Sequence, residues 1–169
     1  MLADYLAPGL DLVFVGYNPG ERSARLGPYY AGINNLFWPL LFESGLVSRP
    51  LTFEDDASIL EHGIGLTDLV KRWSRSSADL QTQEMRDGAD EVRRKLLACQ
   101  PRVACFNGKG VFERIFHRPS QLGPQPERIG ETATFVVPST SARNGRLRRD
   151  GKLRYFAELA ACLRELKAA

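Results

Sequence analysis

Apolar and polar positions fall into blocks along the chain, and the blocks differ in period. Residues 12–15 form an unbroken apolar, β-rich run, which predicts a strand buried on both faces, as a central parallel strand is. The run stops at Gly16-Tyr17-Asn18-Pro19-Gly20, where two glycines and a proline favour a turn and close approach of a ligand to the backbone. Residues 63–70 are a shorter apolar run interrupted by glycines and read as a second strand. Residues 101–108 repeat the form of the first strand, an apolar run followed by Asn107 and Gly108, and residues 132–137 supply a fourth run ending at Pro138. Helical periodicity lies between them. Asn34 or Asn35 can cap a helix to about residue 44, with Leu36, Phe37, Leu40 and Leu41 on one face and Pro39 in its first turn. Thr52 and Asp55 have capping-box spacing and open a short helix that Gly63 stops. Residues 83–100, 109–116 and 152–168 complete the helices, the last with a stripe of Leu153, Phe156, Leu159, Ala160, Leu163 and Leu166. Residues 21–33, 76–82 and 117–130 read as loops.

Strands alternating with helices predict an α/β sandwich on a largely parallel sheet. The carboxyl ends of parallel strands share one rim, where ligands bind in open α/β sheets. The turns 16–20, 107–109 and 138–145 therefore converge, which makes Asn18 a candidate site residue. Asp68 stands in an apolar segment, where a carboxylate must be paired, hydrogen-bonded or solvated in a cleft. It is either a site residue, a helix cap or a partner of Lys71 or Arg72. Tyr29 and Tyr30 sit in a Gly/Pro-rich loop and either stack on a base or pin the loop to the core. His62 reads as a cap or solvent histidine.

Composition narrows the class. A chain of 169 residues, 43% hydrophobic and 25% charged, predicts one globular domain over 1–169. The net charge of +3 decides little, but its distribution matters. From Arg143 to Arg154 six of twelve residues are Arg or Lys, opposed by Asp150 alone. Such a cluster beside a Ser/Thr-rich rim turn predicts binding to a phosphate backbone. Lys109 is the lysine of a rim turn and reads as a helix-start or phosphate contact. Three scattered cysteines without a Cys-x-x-Cys pair point to neither disulfides nor zinc, and Cys105 and Cys162 read as reduced core thiols. No metal or cofactor is expected. The absence of an apolar run of about 18 residues, and of a signal-peptide pattern, predicts a cytosolic bacterial or a nuclear protein. Of these the bacterial cytoplasm is expected, with the protein a monomer associated with the nucleoid through DNA. Neither a P-loop nor a dinucleotide fingerprint is present, which disfavours those enzymes. A catalytically silent DNA-binding module stays open as the alternative to an enzyme.

Five motifs then occur in order: Gly16-Tyr17-Asn18-Pro19-Gly20, Asn35-Leu36-Phe37-Trp38, Gly65-Leu66-Thr67-Asp68-Leu69-Val70, Phe106-Asn107-Gly108-Lys109 and Pro138-Ser139-Thr140-Ser141-Ala142-Arg143. Together they resemble the mismatch-specific uracil/thymine DNA glycosylases, the family of bacterial Mug and eukaryotic thymine DNA glycosylase. The resemblance covers roughly residues 10–165. It implies a three-layer α/β/α sandwich with a four- or five-stranded, mostly parallel sheet. It also implies a metal-free, monofunctional glycosylase of base excision repair that flips uracil, above all from U·G mismatches, or a mispaired thymine out of double-stranded DNA and hydrolyses its N-glycosidic bond. By the same resemblance, Asn18 positions the water, Tyr30 stacks on the flipped base and Ser23 lies beside the pyrimidine C5. Ser139 grips the lesion phosphodiester and Arg143 fills the vacated stack. Gly16, Tyr17 and Asn35 are expected on the substrate side of the site, and Thr140, Ser141 and Arg146 on its DNA side with Lys109. Two positions depart from the family pattern. Tyr17 replaces a common Ile, and Asp68 stands where Lys or Asn is frequent. A carboxylate there can act as general base or stabilise the oxocarbenium-like cation as the base leaves, which makes Asp68 a catalytic candidate beside Asn18.

Overall fold

The computed structural model describes residues 2–143 and 145–169; Met1, and Asn144 within the expected rim turn 138–145, lie outside the described residues. Five strands, β1 (Leu12–Gly16), β2 (Ile64–Asp68), β3 (Val103–Asn107), β4 (Gly123–Ile129) and β5 (Thr132–Val137), form one sheet of order β2-β1-β3-β5-β4. The β2, β1, β3 and β5 strands run parallel, and β4 joins β5 antiparallel. Every residue of β1 is buried, as its continuous apolar run predicts. Its side chains alternate between two cores. Leu12 and Phe14 enter the core made with α2 (Phe37–Glu43), the 3₁₀ segment Phe53–His62 and α5 (Arg149–Ala168). Val13 and Val15 enter the core made with α3 (Thr82–Cys99) and α4 (Lys109–Phe116). The result is a three-layer α/β/α sandwich. In the first core Phe14 meets Phe37 edge-on at 4.9 Å and stacks on Phe156 at 6.0 Å. Such pairs add about 0.5–1.5 kcal/mol beyond area burial.

Several local readings hold. Thr52 and Asp55 do form the capping box, and Gly63 ends that segment in the left-handed region at φ 73°. The segment is a 3₁₀ helix rather than an α-helix. Two readings are corrected. Residues 21–26, expected as loop, form a short helix, α1 (Glu21–Leu26). Its one buried residue is Ser23, so no apolar stripe announces it. Residues 123–129, also expected as loop, are β4. Pro124 and Pro126 lack a donor, which an edge strand tolerates. The central strands leave β4 only an edge position, with Gly123 and Ile129 buried and exposed or half-buried residues between. Cys105 is a buried free thiol, and Cys162 a half-buried one packed on the first core.

Candidate active site

The strand register builds the rim. Asp68, the last residue of β2, pairs in register with Gly16, the last of β1, and Asn107 at the end of β3 pairs with Val137 at the end of β5. Gly16 is glycine for lack of room. A Cβ there would overlap Asp68 Oδ1 and stand 3.1 Å from the Tyr30 hydroxyl. Asp68 and Tyr30 thus converge over the backbone of β1. Neither expected partner takes the carboxylate. Lys71 bonds Asp4, and Arg72 forms a forked pair with Glu84 (2.9 and 2.6 Å). The Asp68 carboxylate, 4% exposed, has no hydrogen bond or ion pair among the described residues. Burial pushes its pKa up to about 7, with the Lys71 charge lowering it and the Asp4 charge raising it.

Tyr30 adopts the left-handed region at φ 53°, an uncommon conformation for a non-glycine residue. Its ring stacks on Phe37 at 4.1 Å and 22°. Its buried hydroxyl lacks a partner among the described residues, and burial and then Asp68 hold it far above the ordinary tyrosine range. Asn107, whose Nδ2 also donates to the Thr140 hydroxyl at 3.0 Å, opposes that rise. The two loop tyrosines divide the expected roles. Tyr29 is fully buried and pins the loop, with Trp38 Nε1 donating to its carbonyl at 3.0 Å. Tyr30 keeps part of its surface open. Asn18 uses its amide N–H groups on the Arg72 carbonyl and the Ser74 hydroxyl, both at 3.1 Å. Its Oδ1 accepts from no described group and is free to orient a water.

A profile of the uracil DNA glycosylase superfamily matches residues 3–167. The chain belongs to the uracil DNA glycosylase superfamily. It is 34% identical over 151 residues to the G/U mismatch-specific uracil DNA glycosylase of Schizosaccharomyces pombe, covering 83% of this chain and 46% of that one. It thus spans about half the length of that curated relative. The solution NMR structure of a uracil DNA glycosylase candidate from Methanosarcina acetivorans superposes with a TM-score of 0.64 at 23% identity, covering 98% of this chain and 96% of that one. That likeness concerns the fold.

On this superfamily fold the remaining candidates separate. Ser139, Ser141, Arg143 and Arg146 line one open depression of about 420 Å³ with Gly145. Arg143 Nη1 donates to the Arg75 carbonyl at 2.7 Å, bridging to the loop that holds Asn18. Lys109 is exposed at the start of α4. Thr140, expected on the DNA side, is corrected: its side chain is buried. Its hydroxyl and N–H both bond Asn107 at 3.0 Å, and its carbonyl accepts from Leu36 N–H at 3.0 Å. Tyr17 is corrected in the same way. Its ring packs against the α3–α4 layer, where Arg114 Nε donates to its hydroxyl at 3.1 Å and that hydroxyl contacts Met85 Sδ at 3.1 Å. Ser23 is buried, with Oγ accepting from Ala31 N–H at 2.9 Å, and Asn35 Oδ1 caps α2 through Phe37 N–H at 3.0 Å. A slightly larger cleft, about 450 Å³ and bordered by Trp73, Leu69 and Glu84, contains none of the candidates. Among the described residues no group of three or more His, Cys, Asp or Glu is arranged for a metal, and no helix is long and apolar enough to cross a membrane.

Sequence reasoning missed Asn107 as the anchor of the 139–143 loop and Asp4 as the partner of Lys71. Asn107 had a signal, since Asn-Gly after an apolar run repeats the Asn18 turn. Asp4 had none, because its partners are 67 and 91 residues away.

Proposed function

We propose that the chain is a monofunctional DNA glycosylase that excises uracil, above all from U·G mismatches, in base excision repair. The observation that carries this reading is the buried, unpaired Asp68 carboxylate beside Gly16 and Tyr30 on a superfamily rim. A flipped pyrimidine would stack on Tyr30. Asn18 Oδ1 and Asp68 would hold a water for attack at C1′ of the deoxyribose. As the C1′–N1 bond breaks, its electron pair leaves with the base. The water oxygen bonds C1′ and one of its protons passes to Asp68, giving an abasic site and the uracil anion; that proton then returns through solvent to the departing base, which releases neutral uracil and restores the carboxylate. While positive charge builds on the sugar, the same carboxylate stabilises it. A group titrating near 7 is well matched to general-base work at neutral pH. Ser23, beside the loop that carries Tyr30, would limit room for a 5-methyl group, favouring uracil over thymine. Ser139, Ser141, Arg143, Arg146 and Lys109 would grip the phosphodiester backbone, with Arg143 at the gap left by the flipped nucleotide. Flipping is easiest at a mismatch, which favours U·G substrates. We further read residues 1–169 as a single domain, acting as a monomer in a bacterial cytoplasm.

The test is single-turnover cleavage of an end-labelled U·G duplex in EDTA, followed by alkali to break abasic sites. The expected result is strand scission at the uracil, with a rate that falls as pH drops through about 7. In Asp68→Asn the rate should fall about 10²–10⁴-fold and that acidic limb should vanish. Tight duplex binding without scission would instead identify a DNA-binding module.

A further inference from the structure

Asp4 lies in the lead-in segment and has no part in the chemistry just described. Backbone pairing fixes it beside β2: Tyr5 and Leu66 exchange N–H···O bonds, both of 2.9 Å. Its carboxylate is shared between two lysines from different elements. Oδ1 takes Lys71 Nζ and the Thr67 hydroxyl (2.7 Å), and Oδ2 takes Lys95 Nζ of α3. Lys71 is completed by the Tyr29 and Thr67 hydroxyls, each at 3.3 Å. Burial opposes the Asp4 charge, but the bonds from Lys71, Lys95 and Thr67 prevail and hold its pKa below the usual value.

Lys71 stands three residues beyond Asp68, and its flexible stem carries a compact charge. The titratable groups bearing on Asp68 are Lys71, Asp4, and the Tyr29 and Tyr30 hydroxyls, which burial keeps neutral. Among the described residues Lys71 is therefore the cation placed to neutralise the rim carboxylate. We propose that Asp4 is a positioning residue for Asp68: it holds the Lys71 ammonium at the sheet edge and so keeps the rim carboxylate unpaired. The consequence for activity rests on the reading of Asp68 as the reacting carboxylate.

The test is a carboxyl-carbon NMR titration of the full chain labelled at aspartate Cγ, with the Asp68 signal assigned by its loss in Asp68→Asn. Single-turnover pH profiles on the U·G duplex run alongside. In Asp4→Asn the released lysine turns to Asp68, and the Asp68 midpoint should fall by roughly 1 unit, the acidic limb moving with it. In Lys71→Met the midpoint should rise, and adding Asp4→Asn to that background should lower it by clearly less than Asp4→Asn does in the parent, since only the direct Asp4 charge is then removed. An unmoved midpoint in Asp4→Asn overturns the proposal. So does an equal fall in the Lys71→Met background, which would mean that Asp4 acts by its own charge. Should Asp4→Asn not fold, Lys71→Met decides, and an unmoved or lowered midpoint there overturns the proposal. If the NMR midpoints move as expected while Asp68→Asn keeps the parental acidic limb, the positioning role stands and the catalytic reading of Asp68 falls.

Discussion

Asp68 is held in a state that works against the stability of the fold. Its folded pKa of about 7 lies above the value of about 3.9 for an unfolded aspartate. Between those two values the folded state binds the extra proton, so stability falls as pH rises through this window and the loss is complete above about 7. Three units at 1.36 kcal/mol each amount to about 4 kcal/mol, to order of magnitude. Asp68→Asn removes the charge and keeps the shape. It should be more stable than the parent at pH 8 and show little gain at pH 4, as urea unfolding at the two pH values would reveal. A parent more stable than the variant at pH 8 would mean that the carboxylate has a favourable partner. Gly16 makes the same point through space. Gly16→Ala drives a methyl into Asp68 Oδ1 and against the Tyr30 hydroxyl. Overpacking of this kind costs about 1–3 kcal/mol. It should also abolish excision while leaving duplex affinity intact, measurable by anisotropy on uncleaved DNA.

Two loops at the rim are pinned from below by neighbouring elements. The loop carrying Tyr30 is pinned by α2 through Trp38 and Phe37, and the 139–143 loop is pinned by Asn107 at the end of β3. Thr140→Val strips the hydroxyl and takes a hydrogen-bond partner from the half-buried Asn107 amide, a loss of about 0.5–1.5 kcal/mol. Because the Thr140 carbonyl also holds Leu36, both loops should loosen together. Weaker binding of a duplex with a non-cleavable deoxyuridine analogue is the expected outcome, although Thr140 touches no solvent. Unchanged affinity would show that Asn107 alone sets the loop. The elements that sequence made legible are those whose burial is periodic, as in β1 with both faces buried and α5 with its stripe. The elements it hid lack that signal. The α1 helix buries one serine, and β4 is an edge strand with two prolines and a polar outer face. Capping was legible because the Thr52–Asp55 box is local, whereas the 3₁₀ character of its segment was not.

Across the whole molecule, parallel strands account for what could be foreseen of the site. Once β1, β3 and β5 run the same way, their polar ends must share a rim, so Asn18, Asn107 and Ser139 fall together without any contact being known. Side-chain direction was not foreseeable at that level. Tyr17 turns to the α3–α4 layer because Arg114 and Met85 wait there, and Thr140 turns inward to Asn107. The basic run from Arg143 to Arg154 divides on the same principle. Arg143 and Arg146 line the open depression. Further along, Arg149 pairs with Glu43 (2.8 Å through Nη1), Lys152 is buried, and Arg154 lies over Tyr155 with Glu158 at 3.5 Å. A phosphate contact adds about one unit to the slope of log affinity against log salt, whereas an arginine engaged with a carboxylate adds none. Arg143→Ala and Arg146→Ala should therefore each weaken duplex binding and flatten the salt slope by about 1, and Arg143→Ala should also slow excision if its side chain occupies the gap left by the flipped nucleotide. Arg149→Ala and Arg154→Ala should leave the slope unchanged. Binding titrations of the four variants between 50 and 200 mM salt, a range over which phosphate-contacting proteins lose affinity by orders of magnitude, separate the cases. Flattening by Arg149→Ala and Arg154→Ala but not by Arg143→Ala and Arg146→Ala would mean that DNA lies along α5 rather than across the strand-end rim, and would move the interface away from Asp68.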